Sequence, residues 1–340
     1  MGVKDFKKPT GGKEKMNKTI KILTIIIIVL AFSYLTIACK GTIQSEEGEQ
    51  VMDKESEEKE PLLQSDDKEN KIVGEISDTV PRQEGHIMIG NVGDFQFDPG
   101  NIKTVRDDIF NEGFFSIFDI LVYLDDEGKI NMEYHFDDSM NTHIIDSIDN
   151  MKNWWHIAYY DGGWPERNVF RMDHYPYKDK MYISISEAEE NQLERYYEVF
   201  REEIIRKENN GGKIIIPEMR ISTPGSGSLL FENVELKPHN LRNDIFKEGT
   251  ITAIDAIMTL GDEGKITYDL NWYESIGTAG LVKDYFVEGI NDDVSVGRCG
   301  FVYEEGSYSF GGFQGNHIHI PSDIRLINSP EYLEFFWICI

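Results

Sequence analysis

Cysteine is scarce in this sequence, with three residues in 340. That is too few for a disulfide-dense framework. Basic residues are few as well: 34 Lys and Arg stand against 61 Asp and Glu, a net charge of −27. This balance excludes nucleic acid as a partner, because neutralising phosphates requires a basic patch. No P-loop, dinucleotide fingerprint or nucleophile elbow occurs in a strand-to-helix context. Gly225-Ser226-Gly227 and the stretch from Gly306 to Gly315, with Tyr308, Phe310 and Phe313, are glycine-rich, but no Lys-Ser/Thr follows them. What is present suffices for a core. Hydrophobic residues make up 40% and aromatics 12%, which rules out wholesale disorder. At roughly 100–200 residues per domain, the length suggests two domains.

The basic residues that do occur are crowded at the amino end. Residues 1–38 hold seven Lys, all at or before Lys21, followed by 17 uncharged residues from Ile22 to Ala38. This is the profile of a secretory signal. The run closes on Leu35-Thr36-Ile37-Ala38-Cys39, which resembles the bacterial lipobox, with Thr36 where Leu is typical. The resemblance implies cleavage before Cys39, lipidation of its thiol and a membrane partner through that lipid. An uncleaved signal anchor is the alternative, and Met16 is a second candidate start. Either arrangement places the rest of the chain on the extracytoplasmic face of the cell membrane. Without residues 1–38 the chain is more acidic still, a surface that favours cations or cationic partners.

Residues 40–84 are rich in acidic residues, Ser and Gln, and have no aromatic from 40 to 83. Such a segment cannot bury enough surface to offset its ordering entropy and reads as a disordered stalk.

An internal repeat follows. Asp108-Ile109-Phe110-Asn111-Glu112-Gly113 recurs 136 residues later as Asp244-Ile245-Phe246-Lys247-Glu248-Gly249, and 13 of the 25 positions from 106 to 130 are identical to their counterparts. The period is too long for a solenoid, so the expectation is two duplicated domains, 85–185 and 213–340. Ile117, Phe118, Ile120, Leu121 and Leu124 form a helical face, as do Ala253, Ile254, Ile257 and Leu260. Gly128 and Gly264 stop these helices. Segments 180–184 and 316–321 carry strand patterns. Ser186 and Glu189 read as a capping box before a connecting helix, within 186–212, whose face is Leu193, Tyr197, Phe200 and Ile204. The fold class is α+β: two tandem β-grasp-like domains, each one helix on a mostly antiparallel sheet.

Both copies resemble the bacterial surface domains related to the C-terminal domain of transcobalamin. Copy one carries Ser116-Ile117-Phe118-Asp119-Ile120-Leu121, Ser147-Ile148-Asp149-Asn150 and the stretch from Trp155 to Gly162. Copy two carries Thr252-Ala253-Ile254-Asp255-Ala256-Ile257, Glu288-Gly289-Ile290-Asn291 and the stretch from Gly300 to Gly306. The resemblance implies a β-grasp-like fold and surface-exposed ligand or partner binding. It does not imply cobalamin binding, because the chain has no helical barrel to accompany these domains.

The most unusual segment runs from Trp154 to Trp164. Asp161-Gly162 signals a hairpin turn, placing the aromatics on two adjacent strands. Trp155, Ile157 and Tyr159 then share one face and Trp154, His156, Ala158 and Tyr160 the other. One face is core. The other, with Trp164, Tyr175 and Tyr177, is either an exposed stacking surface for a sugar, peptide or planar ligand or a further packed layer. The leading expectation is noncatalytic binding of a small-molecule, glycan or protein ligand through Trp154, Trp155, Tyr159, Tyr160, Trp164, Tyr175 and Tyr177, with no cofactor.

The alternatives are a structural spacer and a metal-dependent enzyme using His143, His156 and His174 with Asp138 or Asp173. Neither these histidines, nor His135 beside Asp137, nor the pair His317 and His319 matches a known ligand spacing. The Asp125-Asp126-Glu127-Gly128 turn is not an EF-hand, because Tyr123 would hold its first ligand position. Cys299 and Cys339 are either a disulfide or two buried thiols.

Overall fold

The computed structural model describes residues 69–160, 164–168, 171–276, 281–308 and 321–339, with only the backbone of Tyr160 and of 164–168. The first half begins with β1 (Lys71–Val73), β2 (Gly85–Ile89), β3 (Gly93–Phe97) and helix α1 (Ile117–Asp126). β4 (Met132–Asp137), β5 (Thr142–Ile148), β6 (Trp154–Tyr160), β7 (Trp164–Asn168) and β8 (Tyr182–Glu187) follow, and then helix α2 (Glu190–Asn209). The second half contains β9 (Ile215–Thr223), β10 (Gly227–Glu235), helix α3 (Ile254–Asp262) and β11 (Tyr268–Tyr273). It ends with β12 (Asp284–Ile290), β13 (Asp293–Val294), β14 (Cys299–Gly306) and β15 (Tyr332–Cys339). The fold is α+β with mixed sheets. Among the described residues no helix is long and apolar enough to cross a membrane. The signal segment, Cys39, the stalk as far as residue 68, and the expected strand at 316–320 with His317 and His319 lie outside the described residues.

The two large sheets have the orders β3-β2-β8-β6-β7 and β10-β9-β15-β14. In each, the first and last strands lie side by side and parallel, β2 with β8 and β9 with β15. The other neighbours are antiparallel. A smaller sheet, β4-β5 in one half and β1-β11-β12-β13 in the other, completes each half. The β4–β5 ladder slips register after Glu133 and the β11–β12 ladder after Asp269, positions separated by the repeat interval.

Local sequence explains the helices. Ser116 caps α1 by accepting from Asp119 N, while the Asp119 carboxylate accepts from Ser116 N at 2.6 Å, a reciprocal box that satisfies two orphan donors. Asp119 also accepts from Val105 N at 2.7 Å, tying the preceding loop to the helix. Asp255 repeats this on Thr252 N and His239 N. Gly128 and Gly264 both end their helices at φ +66°, a left-handed conformation that costs glycine nothing. The apolar face of α1 packs on Ile87, Ile89, Phe97, Ala158, Ile183 and Ile185 of the first sheet. α3 packs likewise on Met219, Ile221, Tyr303, Leu333 and Phe335 of the second.

Two expectations are corrected. Ser186 lies in β8 opposite Trp155, and α2 starts at Glu190 with no side-chain cap; its buried face is Leu193, Tyr196, Val199, Phe200 and Glu203. β8 runs past the expected end of its strand because its partner β6 continues to pair. The carboxyl end of the expected stalk is also ordered. β1 adds to β11 as a parallel edge strand, Thr79 donates to Asp244 at 2.7 Å, and Arg82 N and Gln83 N both donate to Asp179 at 2.8 Å. This polar segment has no core of its own; the unpaired edge of β11 orders it through backbone hydrogen bonds, which composition cannot reveal.

The halves meet at a small apolar cluster of Ile109, Phe110, Phe114, Ile245, Phe246 and Ile324. Phe110 forms an antiparallel bridge with Phe246, its own counterpart in the repeat, with Asn111 N donating to Ile245 O and Lys247 N to Ile109 O. Around this bridge each half has a buried arginine. Arg106 holds Asp108 through Nε and Nη2, both at 2.8 Å, and Asp173 through Nη1 at 2.8 Å. Arg242 holds Asp244 through Nε and Nη2, both at 3.0 Å, with Asp323 at 2.8 Å and Asp284 at 3.0 Å. Lys178 of the first half reaches into the second centre, donating to Val282 O at 3.0 Å and to the Asp284 carboxylate. In return, Asn141 Nδ2 of the first half donates to Asn328 Oδ1 of the second at 3.3 Å. Cys299 and Cys339 face each other across β14 and β15 and are disulfide-bonded.

Candidate binding face of the first sheet

β6 alternates as its sequence pattern requires. Trp154, His156 and Ala158 are buried, while Trp155, Ile157 and Tyr159 are half-buried on the opposite face. Trp154 belongs to the core and its Nε1 donates to Met151 O at 3.0 Å. Tyr175 and Tyr177 are core residues too, which corrects their expected place on a stacking surface. Tyr177 stacks on Phe115 at 5.4 Å and meets Phe97 edge-on at 5.2 Å. Their backbones clamp the start of α1: Ile117 N donates to Tyr175 O and Tyr177 N to Phe115 O, each at 3.0 Å. The surrounding Arg171, Asp173, His174 and Lys178 give the segment a polar look, but these side chains are buried as well. The hairpin pairs Tyr160 with Trp164 as expected, although residues 161–163 and both of these side chains lie outside the described residues.

The face carrying Trp155, Ile157 and Tyr159 gains partners from distant sequence. Pairing aligns His86 of β2, Tyr182 of β8 and Tyr159 of β6 in one row across three adjacent strands. His86 and Tyr182 stack with ring centroids 5.1 Å apart and planes at 20°, and Tyr159 lies 6.0 Å from Tyr182. Met88, Ser184 and Ile157 form the next row, and the Tyr182 hydroxyl approaches the Met88 sulfur at 3.5 Å. Met88 is 37% exposed. Asp94, on the edge strand β3, pairs with His86. Partial burial, with Asp94 and Tyr159 nearby, raises the Tyr182 pKa, so its phenol remains neutral. The result is a row of π surfaces with polar groups at one edge, an arrangement that can stack a planar or sugar-like ligand. His86, Met88 and Tyr182 were not singled out from the sequence. The available signal was alternation, since each sits between buried residues such as Ile87, Ile89, Ile183 and Ile185.

His143, His156 and His174 do not assemble a metal centre among the described residues. His143 Nδ1 and His174 Nε2 both approach Asp173, at 2.9 and 3.8 Å, but the Arg106 guanidinium lies between, 2.8 Å from Asp173 and 2.9 Å from His174 Nε2. A fixed cation thus occupies the polar centre that a metal would need. Burial opposes ionisation of Asp173, yet His174, His143, Arg106 and Thr142 outweigh it and hold its pKa well below the carboxylate range. His174 is pushed down to about 3 by burial, against the pull of Asp173. His156 is pushed down to about 3 by burial with Arg325 nearby, and packs on Tyr175 at 5.4 Å. Asp138 is exposed, and His135 pairs with Asp146 at the surface. Among the described residues no group of three or more His, Cys, Asp or Glu is placed to hold a metal ion.

No family model, curated protein or solved structure matches this chain.

Proposed function

We propose that the chain is a membrane-tethered extracytoplasmic lipoprotein that binds its ligand without catalysis, through the outer face of its first sheet. The lipobox-like Leu35–Cys39 segment supports the tether. We read the two halves as duplicated β-grasp-like domains resembling the C-terminal domain of transcobalamin. The repeated strand order, the central parallel pair of first and last strands, and the register slips at equivalent positions support that reading. A bridge between Phe110 and its own counterpart Phe246 is what a local two-fold relation between such copies produces.

The observation that carries the binding reading is the row His86, Tyr182 and Tyr159. These rings lie side by side on the outer face with the His86–Asp94 pair at one end, a surface that a planar or sugar-like ligand can cover. The test is a thermal-shift screen of the full chain against glycans and planar heterocycles. A ligand at ~100 times its dissociation constant adds ~2.7 kcal/mol to stability. The shift should disappear in Tyr182→Ala and Tyr159→Ala. A shift that survives both substitutions, or none across the screen, refutes the assignment.

A further inference from the structure

The small sheets of the two halves differ at one edge. β4 and β11 occupy the same repeat positions, 132–137 and 268–273, and their ladders slip at the same place. In the second half β1 lies parallel to β11, pairing Lys71 with Asp269, Ile72 with Leu270 and Val73 with Asn271. In the first half the sheet is β4-β5, and no strand among the described residues pairs with the outer edge of β4. Exposure differs too. Leu270 is fully buried and Trp272 half-buried, whereas their counterparts Tyr134 and Phe136 are 38% and 41% exposed. The open edge of a strand presents N–H and C=O groups that template a further strand.

The wall beside β1 is kept in the first half. Trp272 meets Tyr285 edge-on at 5.1 Å and 63°, with the Arg242 guanidinium 5.2 Å from its ring. Phe136 meets His143 edge-on at 5.0 Å and 67°, with the Arg106 guanidinium 5.4 Å away. Lys71 approaches Asp269 at 4.0 Å, and the counterpart of Asp269 is the exposed Glu133. Gly74, at φ +91°, passes so near Trp272 that a Cβ there would stand 2.7 Å from the Trp272 Cβ. Asn70, ahead of β1, accepts from Tyr268 N at 3.1 Å, in space left by Gly261. In the first half Asp125 replaces Gly261 and itself accepts from Met132 N at 2.8 Å, so an added strand needs no residue ahead of its lysine.

We propose that the outer edge of β4 receives an extended segment of a partner protein, parallel to β4, with the pattern lysine, two β-branched apolar residues, glycine. Main-chain hydrogen bonds to the edge supply affinity, and the side chains fix the register. The lysine faces Glu133, the first apolar residue lies beside Tyr134, and the glycine crosses Phe136 as Gly74 crosses Trp272. The acidic chain, with its net charge of −27, draws in a lysine-bearing segment. β1 of a second copy is not the occupant, because it is engaged on its own β11. The edge belongs to the small sheet and does not depend on the aromatic row of the large one.

The test is a fluorescence-anisotropy titration of the full chain with the labelled peptide Lys-Ile-Val-Gly-Glu-Ile, the sequence of residues 71–76, at ~0.15 M salt. Saturable binding is expected. Glu133→Lys should weaken it about fivefold, and a peptide with Glu in place of its Lys should recover that loss on the Glu133→Lys chain. Ala in place of the peptide's Gly should weaken binding about tenfold or more, because the positive φ and the close approach both exclude a side chain. A benzophenone at the peptide's second residue should crosslink within 132–137. Tyr182→Ala, on the aromatic row, should leave the affinity unaltered. The proposal is overturned by the absence of saturable binding, by an Ala peptide that binds equally, by crosslinks within 268–273, or by loss of binding in Tyr182→Ala. Dimerisation of the chain that Glu133→Lys abolishes would overturn it in favour of a second copy.

Discussion

Lys178→Met would test whether the two halves are locked together by charge. Lys178 is a buried side chain of the first half whose ammonium is bound to Val282 O and to the fully buried Asp284 of the second. Its removal leaves Asp284 and Asp323, both fully buried, to share Arg242. Breaking a buried pair by deleting one partner costs about 3–5 kcal/mol, and the orphaned carbonyl contributes to that cost. The loss carries a pH signature. Burial raises the folded-state pKa of Asp284, Lys178 lowers it, and Asp323 raises it further. A carboxyl raised in the folded state contributes stability at low pH and loses it as pH rises through the folded value. Without Lys178 the carboxyl rises further, so the deficit of the variant should be larger at about pH 8 than at about pH 5, by roughly 1 kcal/mol or more. Urea melts of wild type and variant at both pH values measure this. Asp284→Asn in the variant background should recover part of the loss. A cost below about 1 kcal/mol, or one equal at both pH values, would refute the lock.

Two further outcomes follow from the same structure. The Cys299–Cys339 bond closes a loop with a sequence separation of 40, so Cys299→Ser with Cys339→Ser should cost up to about 4 kcal/mol in a denaturant melt; no difference from the oxidised protein would show that the crosslink does not constrain the unfolded chain. His156, held down at about 3 by burial, stays neutral in the fold while the unfolded chain takes up a proton near its ordinary 6.5. Stability is therefore lost as pH falls below that value, by about 2 kcal/mol at about pH 5, and His156→Phe should remove that part of the slope between about pH 7 and about pH 5. Identical slopes would contradict a neutral, buried imidazole.

Much of the architecture is legible in the sequence because it rests on local rules. The apolar spacing of Ile117 to Leu124 and of Ala253 to Leu260, with the glycines at 128 and 264, announces two helices and their ends, since periodicity and a positive φ are decided within a few residues. The alternation of Trp154 through Tyr159 describes a strand with two faces. Which face is core is less accessible. For Tyr175 and Tyr177 the sequence left a stacking surface and a packed layer both open, and the structure buries them in the core of the first half. The segment 70–83 reads as stalk because nothing in its composition shows that β11 offers an unpaired edge.

The sequence by itself determined the elements, the repeat and the two-faced character of β6, because these depend on residues within a few positions or on identity at a constant interval. Only the tertiary structure decided the sites. His86, Tyr159 and Tyr182 become one surface through the pairing of β2, β8 and β6, while β1 pairs with β11 and no described strand pairs with the outer edge of β4. The parallel neighbours in each sheet are joined by nearly the whole of a half, so no short-range pattern encodes which side chains meet. Arg106 stands amid the histidines for the same reason: its position is fixed by contacts to Asp108, two residues away, and to Asp173, 67 residues away.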